Sequence, residues 1–138
     1  MNKREFEKLV FVRVSEGKTL LDQGLYQGAY YLVGYAVECA LKAVIAKETK
    51  QYDFPDKAFA VRCFTHDLTE LVGVAGLKQR LKEREDADEE FKLNWAVVKD
   101  WSEQYRYEPA IEKTKASDLY AAITDEPSGI LQWLKAYW

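Results

Sequence analysis

The sequence predicts an all-α fold, an antiparallel up-and-down bundle of four main helices with short extra ones. Three observations lead there. Glycine (seven) and proline (three) are scarce for 138 residues. The period-two alternation that marks strands is nearly missing, and apolar residues recur at three- and four-residue spacing along most of the chain. The length suits one domain, residues 1–138, with enough chain to bury a core.

Phe6, Leu9, Val10, Val14, Leu20 and Leu21 put a buried stripe on a first helix over residues 3–23. Gly17 weakens it midway and Gly24 is its stop. Leu25, Tyr26 and Gln27 turn the chain into a second helix that runs to about Thr49, and so short a link implies antiparallel neighbours. Residues 51–64 hold Pro55 and no helical period, and read as a loop with a short turn. Thr65 reads as the N-cap, and Asp67 as a first-turn residue, of a short helix ending near Gly73 or Gly76. Helical character resumes over residues 77–103, with a break in the acidic stretch. Phe91, Trp95, Val98, Trp101 and Tyr105 follow one another in steps of four, three, three and four, a single core-facing stripe. Glu108-Pro109 interrupts. A helix around residues 112–123, a Pro-Ser-Gly link and a last short helix in LQWLKAYW complete the chain.

A net charge of −3 and a pI near 5.3 argue against strong non-specific attraction to nucleic acid, which needs a basic face to release counterions. Twenty Lys and Arg still leave room for a local basic cleft. The run at residues 78–90 mixes both signs and reads as a solvated helix. Cys39 and Cys63 form no CxxC pair and His66 is the only histidine, so no metal site and no cofactor are expected. Reduced thiols suit a cytoplasmic chain, and the charges of MNKREFEK fall where an export signal needs apolar residues.

Residues 28–45, GAYYLVGYAVECALKAVI, raise a sharper question. Apart from two glycines, Glu38 and Lys42, every residue there is apolar or aromatic. A membrane span would carry two charges at its heart, at about 2.5–3.5 kcal/mol each, so no membrane is expected. With Glu38 at zero on a helical wheel, Lys42 falls at about +40°, Tyr35 at about +60°, Tyr31 at about +20° and Gln27 at about −20°. The polar groups thus gather on one narrow strip. It is either a surface Glu–Lys pair or the lining of a cleft or self-association face.

His66 reads as a local cap or as a reactive imidazole. Arg106, between Tyr105 and Tyr107, is suited to stacking on a ring, clamping a phosphate or pairing with a buried carboxylate such as Glu38. No Gly-rich phosphate loop, nucleophile elbow or HExxH occurs, and no serine has a base–orienter pair at readable spacing.

Together, GAYYLVGYAVECALKAVI, the later THDLTELVGVAGL and WSEQYRY resemble the HEPN family. Glu38 followed by Leu41-Lys42-Ala43, the run His66-Asp67-Leu68 and the pair Arg106-Tyr107 carry the likeness, which spans roughly residues 6–138. The resemblance implies a helical bundle that dimerises and associates with RNA or nucleotide. Family members include metal-independent RNases, toxins paired with nucleotidyltransferase antitoxins, and non-catalytic binding forms. The RNases carry an Arg, then four to six residues, then a His in a late helix. Here the only preceding Arg near His66 is Arg62, with three residues between and ahead of the short helix, and no His follows Arg106. The nuclease motif therefore does not transfer.

The sequence thus points to a cytoplasmic homodimeric domain binding RNA or nucleotide, with a nucleotidyltransferase-type protein as a possible partner in a toxin–antitoxin or defence setting. Its expected polar cleft is Glu38, Lys42, His66, Arg106 and Tyr107, with Lys42 and Arg106 on phosphate and Glu38 orienting Arg106 or His66. Tyr31, Tyr35 and Tyr105 would stack on a base or form an interface. The alternatives are an RNase with a rearranged His/Arg site and a protein-interaction module.

Overall fold

A computed structural model describes residues 1–49 and 57–138. Among these residues the fold is all-α: α1 (Lys3–Asp22), α2 (Tyr26–Glu48), α3 (Lys57–Cys63), α4 (Leu68–Val74), α5 (Lys78–Ala87), α6 (Glu89–Val98), a 3₁₀ helix (Glu103–Tyr107), α7 (Lys113–Thr124) and α8 (Ile130–Lys135).

Asn2 starts α1 with a reciprocal capping box, its side chain accepting from the Glu5 N–H while the Glu5 carboxylate accepts from Asn2. Gln23, Gly24 and Leu25 end it. Gly24 sits at φ +78°, and the Leu25 and Gly24 N–H groups return to the Leu20 and Leu21 carbonyls. The same geometry, with Gly76 at φ +72°, ends α4. Gly17, read as a weak point, is a contact point instead. A methyl there would reach within 3.3 Å of Val33 Cβ, and one on Gly28 within 3.1 Å of Leu20. These pairings run in opposite chain directions, so α1 and α2 lie antiparallel with their backbones close.

α2 is the centre of the molecule. Its neighbours are α1, α4, α7, α8 and the 3₁₀ helix, and Ala36, Val37, Ala40, Leu41 and Ala43 are fully buried. It is long and apolar enough to cross a membrane, but 72% of its most apolar window is buried inside the fold.

Three expectations change. Residues 57–63, read within a loop, are helical; α3 buries none of its residues, so no apolar stripe announced it. Residues 51–56 of that loop lie outside the described residues. Asp67, not Thr65, is the N-cap of α4, its carboxylate accepting from the Glu70 N–H at 3.0 Å. The helical stretch expected to about Glu103 ends at Val98, while its expected break in the acidic run falls at Asp88, between two ten-residue helices. Asp88 ends α5 in an extended conformation and caps α6 through Phe91 N–H at 3.1 Å. Phe91, Trp95, Val98 and Trp101 are all buried as the stripe requires, although α6 stops at Val98 and Tyr105 belongs to the 3₁₀ helix.

Candidate functional site

Glu38 is only 1% exposed, because α2 is enclosed on most sides. A buried carboxylate must be hydrogen-bonded and charge-compensated or it destabilises the fold. Both needs are met. Lys42, one turn on, brings Nζ to 3.2 Å from Oε2, and His66 Nδ1 lies 2.9 Å from Oε1. The other imidazole nitrogen, Nε2, is 3.2 Å from Glu103 Oε2 on the 3₁₀ helix. A chain of four ionisable groups, Lys42–Glu38–His66–Glu103, therefore crosses from α2 to the 3₁₀ helix.

The turn before α4 holds His66 in place. The Thr65 hydroxyl accepts from Asp67 N–H at 3.2 Å and donates to Glu70 at 2.7 Å, so both neighbours of His66 are tied down. His66 is thus a long-range partner of α2 rather than a local cap. With 39% of its side chain exposed, the ring is open to a ligand at the surface.

Beside this chain the tyrosines of α2 continue the strip. Tyr31 and Tyr35 have ring centroids 6.0 Å apart, and Tyr31 stacks on Trp101 at 6.1 Å. Burial, then the Glu38 carboxylate, push the Tyr35 phenol up. Arg13 of α1 sits with its guanidinium carbon 6.0 Å from the Tyr35 centroid, placed there by the antiparallel register. Burial and then Glu38 raise the neighbouring Cys39 thiol to about 11, so it stays a protonated, unreactive group.

Arg106 is exposed and lies 4.7 Å over the ring of Tyr107, itself 68% exposed. Tyr107, then Tyr31, are within its hydrogen-bonding reach and hold its guanidinium further up its ordinary range, with Glu103 adding its charge. Among the described residues Glu38 pairs with Lys42 and His66, not with Arg106.

Tyr105 departs from its expected place. Its ring packs edge-on against Tyr30 at 4.7 Å, away from Tyr31 and Tyr35, and Lys115 donates to its hydroxyl at 3.1 Å. With Val97, Asp100 and Asp118 these residues line a separate 370 Å³ recess. Only the Tyr105 carbonyl serves the α2 strip, accepting from Gln27 at 2.9 Å.

Sequence reasoning missed Glu103 and Arg13. Glu103 stands three residues before Arg106, and in a 3₁₀ helix such residues eclipse one another; the spacing was visible, the helix type was not. Arg13 needed the register between two helices. Among the described residues no cluster of His, Cys, Asp and Glu suits a metal ion. Glu38 and Glu103 sit on opposite nitrogens of one ring, so their oxygens do not converge. A 420 Å³ groove between α1, α7 and α8 shares no residue with the strip. No protein-family model, curated protein or solved structure matches the chain.

Proposed function

We propose that this chain is a HEPN-like helical-bundle domain that binds RNA or a nucleotide on the Tyr31–Tyr35–Lys42–His66–Arg106–Tyr107 strip, without cleaving it. In this reading it works in the cytoplasm as a homodimer, beside a nucleotidyltransferase-type partner. One observation carries the proposal. A buried Glu38 holds His66 at a surface where exposed Arg106 stacks on exposed Tyr107, so cationic donors and free ring faces occur side by side. Donors of that kind suit phosphate oxygens, and exposed rings suit bases. The acidic chain as a whole repels polyanions, so binding on this strip is local and salt-sensitive.

The test is fluorescence anisotropy with a labelled single-stranded RNA and with a labelled adenine nucleotide, in EDTA, the RNA then being run on a denaturing gel. Binding with intact RNA, weakened on the order of tenfold by Arg106→Glu, supports the reading. Cleavage that His66→Ala abolishes would instead make the chain a metal-independent RNase. The protein-interaction alternative predicts no binding at all, with Tyr31→Arg turning a dimer into monomers on size-exclusion chromatography.

A further inference from the structure

A ring nitrogen on this strip that is well placed to meet a phosphate is already engaged by the chain itself. His66 Nε2 points away from Glu38, yet it faces Glu103 Oε2 at 3.2 Å. Arg106, exposed and one turn further along the same 3₁₀ helix as Glu103, is the cationic donor at that edge. Three residues per turn set Glu103 and Arg106 on one side of that helix, so the carboxylate facing His66 stands on the edge that presents Arg106. Ser102 fixes the start of this helix by accepting from the Gln104 N–H at 3.1 Å, so Glu103 is aimed rather than free to wander.

We infer that the Glu103 carboxylate stands where a ligand phosphate binds, and that it competes with that phosphate for His66 Nε2 and Arg106. The inference rests on the nucleotide-binding reading and specifies how that site is regulated. A carboxylate and a phosphate offer the same chemistry to these donors, acceptor oxygens carrying negative charge. Glu103 differs from Glu38 in the respect that matters. Glu38 is sealed in the core with two partners, whereas 24% of the Glu103 side chain is exposed on a five-residue helix. It can rotate outward without opening the core. In the free protein it occupies the place facing His66 Nε2; in the complex the ligand phosphate replaces it. The site is therefore self-capped, and its affinity is set by how well a ligand outcompetes an internal anion.

The experiment measures adenosine 5′-monophosphate and adenosine binding to wild type, Glu103→Gln, Glu103→Ala and the control Glu108→Gln by titration calorimetry. Circular dichroism confirms that each variant is folded. Both Glu103 variants are expected to bind the monophosphate more tightly, on the order of fivefold, as loss of one part-exposed charge contact predicts. Adenosine binding and the Glu108→Gln control stay unchanged. If wild type binds the monophosphate and neither Glu103 variant binds it more tightly, the competition is overturned while the nucleotide site stands. An equal gain in Glu108→Gln also overturns it, since the effect is then overall charge alone. If neither wild type nor any Glu103 variant binds, the nucleotide-binding reading itself falls, and the competition with it.

Discussion

At the scale of single residues, Glu38 decides the most. It is the largest polar side chain among the fully buried ones, and its two oxygens are divided between Lys42 and His66. Converting it to an amide keeps the shape and removes the charge that both partners answer. Glu38→Gln is expected to lower stability by about 1–3 kcal/mol in urea unfolding, the usual cost of weakening a charged buried hydrogen-bond pair. Half of this arrangement was legible beforehand. A helical period of 100° is enough to gather Glu38, Lys42, Tyr31 and Tyr35 on one strip. It says nothing of what crosses to meet them: His66 beside Glu38 was one of two partners expected, and Glu103 was not expected at all, since both come from segments more than twenty residues away in the chain.

Among elements, the contact between α2 and the segment after α6 is the most sensitive. The Trp101 indole lies flat on Gly34, so close that a methyl on Gly34 would overlap its five-membered ring. Gly34→Ala is expected to cost about 1–3 kcal/mol or more in thermal or urea unfolding, the range for overpacking a core. Combined with Trp101→Leu, which removes the ring, the added cost of the alanine should vanish, a non-additivity that marks direct contact. The apolar stripe of residues 91–101 could be read from spacing because it is amphipathic. The break in the acidic run was legible as well, but the identity of α3 was not. α3 packs only the half-buried Phe59 and Cys63 against the core, which writes too weak a period into the sequence.

For the molecule as a whole, closure depends on a polar tie between distant segments. Asp88 accepts from Ser128 at 2.9 Å, Arg84 donates to the Pro127 carbonyl at 3.1 Å, and Asn94 donates to the Ser128 carbonyl at 3.0 Å. The corner between α5 and α6 is thereby bound to the loop before α8. The Phe91 N–H, then the Ser128 hydroxyl and Arg84, hold the Asp88 carboxyl below its ordinary value. A lowered folded-state value means stability that is present at neutral pH and lost as pH falls through it. Wild type should therefore be more stable than Asp88→Asn at pH 7 in urea unfolding, and the gap should close below about pH 4. The helical class was plain from composition and period. The central place of α2 was foreshadowed by its apolarity, which burial inside the fold, rather than lipid, explains.

The stacking of Trp101 on Tyr31 has an optical consequence. The indole is 2% exposed, its Nε1 has no hydrogen-bond partner, and Tyr31 is the ring between it and the strip. Trp101 is thus a buried chromophore, one ring removed from any base that would settle on Tyr31. The protein carries its own fluorescent reporter, built into the wall behind the surface it reports on.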